Sequence, residues 1–171
     1  MDETETREPD AAPSKNPTSV ERRSERELVV TRTVNGPARL VFAAWTKAEL
    51  FSQWWVPRSY GLNLVSCAMD ARVGGEYRLA FLHEGSTMEF FGTYLEVTPP
   101  SRLVWTNEEG DGVTVTTVTF DEVDGRTRVT VNDRYPSKDA ADAAAGSTGA
   151  MPEALDQLDE LLASLGSTTT D

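Results

Sequence analysis

The sequence contains little that could bind a metal or support covalent catalysis. Among its 171 residues there is one cysteine, Cys67, and one histidine, His83. A lone cysteine forms no internal disulfide, and one residue of each type is too few for a transition-metal cluster. His83 falls in a predicted hairpin turn, so a catalytic triad or dyad would depend on an exposed imidazole. We therefore expect no metal, no cofactor and no catalytic set of this kind.

Long apolar segments are also lacking. The longest unbroken apolar run, Leu40 to Trp45, is far shorter than the roughly 20 residues that a membrane-spanning helix needs. Met1 is followed by acidic residues and not by the basic and apolar stretch of a secretory leader. These absences predict a soluble, cytoplasmic protein.

Basic residues are scarce. Sixteen Lys and Arg stand against 28 Asp and Glu, which gives a formal net charge of −12. Such a surface repels the phosphates of nucleic acids and anionic lipid headgroups. We expect neither nucleic acid nor a membrane among the partners.

The apolar residues that are present predict a single domain with two unstructured ends. The overall hydrophobic content of 39% is enough for one sizeable core. Residues 1–26 carry almost no bulky apolar side chains, so ordering them would not offset the loss of chain entropy. We expect a disordered tail over residues 1–26, a domain over 27–166 and a second disordered tail over 167–171.

Strand patterns dominate this predicted domain. The β-branched run from Glu27 to Val34 predicts a first strand, and Pro37 marks the start of a helix. Apolar residues at helical spacing, from Leu40 to Trp45 and from Leu50 to Trp54, predict two short helices. Alternating segments separated by turn residues then predict an antiparallel meander. Its six strands cover residues 63–70, 76–82, 88–97, 102–107, 113–120 and 127–133.

Two further helices are predicted near the C-terminus. Ser137 can cap a short alanine-rich helix that ends near Gly146. A longer helix starts near Ala150 and stops at Gly166. It carries a stripe of leucines that needs an apolar partner. The stripe consists of Leu155, Leu158, Leu161, Leu162 and Leu165. We infer an α+β fold in which this helix lies across a strongly curved sheet.

The adjacent residues Trp54 and Trp55 are the most informative pair in the chain. Neighbouring side chains on a helix or strand point in different directions, so two indoles cannot both face one core. Either one of them lines a second apolar surface, such as a pocket, or it covers a loop.

Several short motifs, in this order and at these separations, resemble one bacterial family. They are Val30-Thr31-Arg32-Thr33-Val34-Asn35-Gly36-Pro37, Val41-Phe42-Ala43-Ala44-Trp45-Thr46, Trp54-Trp55-Val56-Pro57, Arg72-Val73-Gly74-Gly75-Glu76, Gly92-Thr93-Tyr94-Leu95-Glu96-Val97 and Val118-Thr119-Phe120. The family comprises homologues of the activator of the heat-shock chaperone ATPase, which are also described as polyketide cyclase-like or SRPBCC proteins of the START-like superfamily. The resemblance covers about residues 28–165. It implies a helix-grip fold with a seven-stranded curved antiparallel sheet, two short helices and a long C-terminal helix across the sheet.

The aromatic and apolar residues provide the candidate site. They either fill a core or surround an apolar ligand, and helix-grip folds usually do both. The candidates from the short helices and the sheet are Trp54, Trp55, Tyr77, Leu79, Phe81, Phe90, Trp105 and Phe120. The candidates from the last helix are Met151, Leu155 and Leu158. Our leading hypothesis is a protein that holds a small apolar or aromatic molecule between the sheet and the C-terminal helix.

Two other functions stay open at this point. A polyketide cyclase or hydratase would use an inward carboxylate, from Glu76, Glu89 or Glu96, or the phenol of Tyr77 or Tyr94, as acid or base. An interaction with a chaperone, which the family name implies, is the third and least favoured alternative.

Overall fold

The computed structural model describes residues 17–108, 112–145 and 150–169. In these ranges the chain forms eight β-strands, four α-helices and one 3₁₀ turn at Arg58–Tyr60. The strands are β1 Thr18–Ser24, β2 Glu27–Val34, β3 Asn63–Met69, β4 Glu76–His83, β5 Ser86–Thr98, β6 Arg102–Asn107, β7 Thr114–Val123 and β8 Arg126–Arg134. The helices are α1 Ala38–Thr46, α2 Ala48–Phe51, α3 Lys138–Ala145 and α4 Ala150–Thr169.

The eight strands form one antiparallel sheet. Their order is β1-β2-β8-β7-β6-β5-β4-β3. Strands β3 to β7 each pair with the next strand along the chain, and β8 pairs with β2. The predicted α+β helix-grip architecture, with a curved antiparallel sheet and a long C-terminal helix, is confirmed.

Strand β1 is an eighth strand where the sequence predicted part of a disordered tail. It pairs with β2 from Thr18 opposite Arg32 to Ser24 opposite Glu27. Nearly all of its side chains are exposed. The segment is therefore held mainly by backbone hydrogen bonds to β2. A strand held in this way needs no alternating apolar side chains, so sequence analysis has no pattern to detect. The remainder of the predicted tail, residues 1–16, lies outside the described ranges.

The C-terminal helices also differ slightly from their predicted bounds. Helix α4 continues to Thr169, beyond the predicted end at Gly166, and residues 170–171 lie outside the described ranges. The predicted end of the shorter helix near Gly146 lies outside them as well. No helix within the described residues combines the length and the apolar character needed to cross a membrane.

One hydrophobic core lies between the helices and the inner face of the sheet. Helix α4 buries Leu155, Leu158 and Leu162, which recur every three or four residues and so share one face. Strand β8 contributes Val129 and Val131, which alternate with side chains on the outer face. The leucine stripe of the sequence thus packs against the sheet, as its periodicity indicated.

A buried arginine ties α4 to the sheet. Arg32, on β2, is 1% exposed. Its guanidinium lies 2.9 Å from a carboxylate oxygen of Asp156 and 2.6 Å from one of Asp159. It also donates a hydrogen bond of 3.0 Å to the hydroxyl of Thr18 on β1. The second carboxylate oxygen of Asp159 accepts a 2.7 Å hydrogen bond from the backbone N–H of Asn35. The edge strand β1 and its neighbour β2 are therefore connected to the helix by one cluster.

We expect Arg32→Leu to lower the free energy of unfolding by about 3 to 5 kcal/mol, because it removes the positive charge that pairs with the buried carboxylate of Asp159. The measurement is urea denaturation followed by circular dichroism. Arg58→Leu is the matched control, since Arg58 also pairs with α4, at 3.1 Å from Glu160, but both partners are well exposed. An exposed pair contributes at most about 1 kcal/mol. Equal losses for the two variants would contradict a special role of the buried cluster.

Candidate ligand cavity

A cavity of about 150 Å³ lies between the helical segment around α1 and α2 and the inner face of strands β3 to β6. Eight of its eleven lining residues are aromatic, so the wall is apolar and built of rigid rings. The lining residues are Trp45, Phe51, Trp55, Met69, Tyr77, Leu79, Phe81, Phe90, Tyr94, Trp105 and Asn107.

The pleat of the sheet explains why these strand residues share one wall. Tyr77, Leu79 and Phe81 alternate along β4 and therefore project from the same face. Leu79 stands opposite Phe90 on β5, and the two rings of Phe81 and Phe90 meet edge to face with centroids 5.3 Å apart. Tyr94, further along β5, stands opposite a tryptophan of β6. The registers of three strands thus bring the aromatic side chains together.

The two adjacent tryptophans have different environments. Trp54 is fully buried, and its indole N–H donates a 2.9 Å hydrogen bond to the carbonyl of Ala44. Trp55 lines the cavity, where its ring stacks on Phe51 at a centroid distance of 4.8 Å and an interplanar angle of 25°. One indole therefore belongs to the packed core and the other to the cavity wall.

Helix α4 holds the chain that carries Trp55 without touching the cavity. Gln157, which is buried, donates hydrogen bonds of 2.9 Å to the carbonyl of Trp54 and 2.8 Å to that of Val56. Its side-chain carbonyl accepts a 2.9 Å bond from the backbone N–H of Arg58. A single amide thus fixes the backbone on both sides of Trp55. No apolar pattern marks a buried glutamine, so sequence analysis did not select it.

Six of the eleven residues predicted for the site line this cavity. They are Trp55, Tyr77, Leu79, Phe81, Phe90 and Trp105. All of them except Trp55 come from strands. Side chains of a strand alternate between its two faces, so the sequence indicates directly which of them point inward. Whether these residues contact a ligand stays a prediction.

The other five predicted residues lie outside the cavity wall. Trp54, Phe120, Leu155 and Leu158 are at most 3% exposed and belong to the packed core, and Met151 packs against its edge. The cavity is therefore not beneath the C-terminal helix, where we expected it. The reason is packing, because the branched leucines of α4 fit closely against the sheet and α1. The large rings near α2 leave a gap.

Five residues of the wall are absent from the ligand site predicted from the sequence. They are Trp45, Phe51, Met69, Tyr94 and Asn107. Of these, Tyr94 was a candidate only as the acid or base of the cyclase alternative. Trp45 and Phe51 contribute to the helical spacing that predicts the two short helices. Tyr94 is in phase with Phe90 on β5, so alternation was the signal that could have identified it. Asn107 is polar and carries no apolar signal.

The carboxylates that an enzyme hypothesis needed are on the outside of the sheet. Glu89 pairs with Arg78 at 2.7 Å, and Glu96 pairs with Arg102 at 3.0 Å, in both cases at the surface. Glu76 is exposed. None of these three candidates belongs to the wall of the cavity.

A chain of hydrogen bonds leads from the wall to a different carboxyl group. The Tyr77 hydroxyl lies 2.8 Å from the side-chain oxygen of Asn107, whose amide nitrogen donates a 2.9 Å bond to the hydroxyl of Thr116. Thr116 in turn donates to Asp133. Burial raises the pKa of the Asp133 carboxyl, although the Thr116 hydrogen bond opposes this. The chain orients Tyr77 and Asn107 on the cavity wall.

The absence of a side chain at Gly92 allows the ring of Tyr77 to pack directly against β5. A Cβ atom at this position would lie 1.8 Å from the carbonyl oxygen of Thr106 and 2.9 Å from the Tyr77 ring. The regular pairing of β5 and β6 begins two residues further on, at Tyr94 opposite Trp105, and here the backbone N–H of Thr93 donates to the Thr106 hydroxyl at 2.9 Å. Only glycine fits between the two strands here.

Fold and cavity together define a START-like helix-grip domain. The chain belongs to the family described as Activator of Hsp90 ATPase homolog 1-like protein, whose sequence model matches residues 35–163. The resemblance noted in the sequence is thereby confirmed. No curated protein sequence matches the chain.

Several solved structures share this architecture. A protein from Rhodobacter sphaeroides is similar over 87% of this chain and 99% of its own, with 27% identity and a TM-score of 0.80. A protein from Nitrosomonas europaea is similar over 84% of this chain and 98% of its own, with 25% identity and a TM-score of 0.75. An AHSA1-like protein from Aeromonas hydrophila, at 19% identity and a TM-score of 0.63 over 77% of this chain and 92% of its own, supports the fold alone.

Gly92→Ala is expected to lower the free energy of unfolding by about 1 to 3 kcal/mol, since the added methyl group overlaps a backbone carbonyl and forces the strands apart. Gly36→Ala is the control, because the new Cβ there would meet the nearest side-chain atom at 3.4 Å, an ordinary contact. Thermal denaturation of both variants measures the difference. If Gly92→Ala were as stable as Gly36→Ala, the close approach at β5 would be disproved.

Asp133→Asn should change how stability depends on pH. Because burial raises the pKa of Asp133, the folded protein binds more protons than the unfolded chain between the ordinary aspartate pKa of about 3.9 and the raised value. Ionising Asp133 in this interval therefore lowers stability as pH rises, and the asparagine variant lacks that loss. The melting temperature of Asp133→Asn minus that of the wild type should increase from pH 4 to pH 7.

Asp121→Asn, at an exposed position of β7, controls for the removal of one negative charge from an acidic protein. A difference that grows equally with pH in both variants would show that net charge, and not the burial of Asp133, is responsible.

Proposed function

We propose that this protein binds a small, largely apolar molecule built around a single ring, and that the ligand occupies the cavity between α1, α2 and strands β3 to β6. The observation that supports this proposal is a hollow of about 150 Å³ enclosed mainly by aromatic side chains. Small-molecule sites in proteins are typically concave and apolar, with a few polar groups placed in the wall. Here Tyr77, Tyr94 and Asn107 supply those groups.

The size of the hollow limits the ligand. Cavities of about 150 Å³ lined by apolar residues bind molecules such as benzene, whereas drug-sized ligands occupy about 300 to 1,000 Å³. A fused-ring polyketide or a long acyl chain exceeds the space in this conformation. The size therefore favours a single-ring ligand over the substrate of a polyketide cyclase.

The contrast in packing within one domain supports a binding role. The chain packs its leucines closely under α4, where Leu155 and Leu158 are fully buried. The pocket near α2 is lined by aromatic side chains, is partly open to solvent and is not filled by side chains of the protein. An unfilled apolar pocket beside a well-packed region is accounted for if a ligand occupies it.

We infer that the ligand enters beside Phe90. This residue is 36% exposed and belongs to the cavity wall. Its neighbour on the same face of β5, Met88, is 39% exposed. An apolar ligand would therefore meet apolar side chains at the rim before it reaches the buried rings. No described feature is specific to a chaperone partner, so we do not favour that alternative.

Leu79→Trp is expected to weaken binding at least tenfold, because the larger ring occupies the space of the ligand. Leu82→Trp is the matched control: it makes the same substitution on the same strand, at an exposed position. Isothermal titration calorimetry with toluene and ethylbenzene measures both variants and the wild type. Wild-type tryptophan fluorescence should also respond, since Trp45, Trp55 and Trp105 line the cavity.

Two results would contradict the proposed function. One is the absence of saturable binding of either probe to the wild-type protein up to its solubility limit. The other is unchanged binding in Leu79→Trp, which would place the probe elsewhere on the molecule.

A further inference from the structure

The tryptophans of the cavity wall differ from Trp54 in their hydrogen bonding. Trp54, which lies outside the wall, donates its indole N–H to the Ala44 carbonyl at 2.9 Å. Trp45 is 1% exposed, and its indole N–H has no acceptor among the described residues, but this nitrogen is shielded from the cavity as well as from solvent. Trp105 is 8% exposed, and its N–H likewise meets no acceptor in the described ranges. Buried indoles usually find a partner, so unpaired donors on a cavity wall require an explanation.

Tyr94 adds a third unpaired donor. It is 2% exposed, lines the cavity, and its hydroxyl forms no hydrogen bond with a described residue. Burial raises the pKa of this phenol, so it stays protonated at physiological pH. The other tyrosine of the wall differs, because the Tyr77 hydroxyl lies 2.8 Å from both the Thr106 carbonyl and the Asn107 side chain.

The cavity wall therefore offers more unpaired hydrogen-bond donors than unpaired acceptors. The side-chain oxygen of Asn107, a natural acceptor, is already within hydrogen-bond distance of the Tyr77 hydroxyl. A ligand with its own N–H or O–H groups would find few acceptors, whereas a ligand oxygen with free lone pairs would meet unpaired donors.

The wall also lacks a positive charge. None of its eleven residues is Lys, Arg or His. A carboxylate transferred into this apolar space would lose its hydration without gaining an ion pair, which is strongly unfavourable. The acceptor on the ligand is therefore expected to be neutral.

We propose that the cavity selects a neutral single-ring carbonyl compound, such as an aromatic ketone, aldehyde or ester, whose oxygen accepts hydrogen bonds from the unpaired donors of Tyr94 or Trp105. This inference rests on the proposed function and narrows its ligand class. The ring fills the aromatic part of the hollow, and the carbonyl group satisfies donors that the folded chain leaves unpaired.

Three ligands of similar size separate the alternatives. Acetophenone carries a neutral carbonyl group, ethylbenzene replaces it with methylene, and benzoate carries a charged carboxylate. Isothermal titration calorimetry on the full chain should show that acetophenone binds about three- to tenfold more tightly than ethylbenzene, the gain expected from one net hydrogen bond. Benzoate should bind most weakly.

The outcomes of this comparison test three statements separately: that the ligand carries a carbonyl group, that it is neutral, and that the cavity binds a ligand at all. If ethylbenzene binds as tightly as acetophenone, the carbonyl inference is overturned while the proposed function stands. If benzoate binds best, the inference that the ligand is neutral is wrong. If none of the three binds, the proposed function itself fails.

Tyr94→Phe tests one donor directly. It should weaken acetophenone binding about threefold or more and leave ethylbenzene binding unchanged, whereas Tyr60→Phe, at an exposed position, should affect neither. An equal loss for both ligands in Tyr94→Phe would indicate a structural role for the hydroxyl and contradict the inference for this residue.

The infrared spectrum of bound acetophenone provides a readout that needs no variant. A carbonyl group that accepts hydrogen bonds absorbs at lower frequency than the same group in an apolar solvent. We expect the band of carbonyl-labelled acetophenone to shift to lower frequency on binding to the wild-type protein. A band at the frequency found in hexane would overturn the proposal, even if the ligand binds well.

Discussion

The rigid aromatic rings around Trp45 are the constraint on which the rest of this structure depends. Five other rings lie with their centroids 4.8 to 6.4 Å from that of Trp45. They belong to Phe51, Trp54, Trp55, Trp105 and Phe120. Aromatic rings are rigid and prefer edge-to-face or offset contacts, so they cannot change shape to fill space as aliphatic side chains do. Trp45, Phe51, Trp55 and Trp105 of this group line the hollow near α2.

The long C-terminal helix has the complementary role. Its leucines fill the core completely at their end of the sheet, and the buried Arg32 cluster fixes the helix to β2. The same helix holds the backbone around Trp55 through Gln157. Helix α4 therefore shapes the cavity from a distance, by securing the chain that carries one wall, while the surface facing the hollow comes from other elements. An apolar hollow and a well-packed core are thus built into one small domain.

Much of the fold was accessible from residue patterns, because strands and helices leave periods of two and of 3.6 in the sequence. Six residues of the cavity wall followed from the same reasoning, above all the alternating Tyr77, Leu79 and Phe81 of β4. Strand β1 escaped it, since its exposed side chains carry no period and its order comes from backbone pairing. Asn107, Gln157 and Asp133 escaped it as well, because a buried polar residue is recognisable only by the partners that surround it.

The sequence by itself determined the order of all elements but β1, the family, and which face of the alternating strands and of the helices is apolar, since these properties depend on residues close together in the chain. Only the tertiary structure decided where the apolar faces meet without a gap and where they enclose a hollow. That outcome depends on the shapes of side chains far apart in sequence, such as Leu158 against the sheet and Trp55 beside Phe51. It also decided which indole N–H groups find an acceptor. A pattern of residue types contains neither the distances nor the directions that settle these questions.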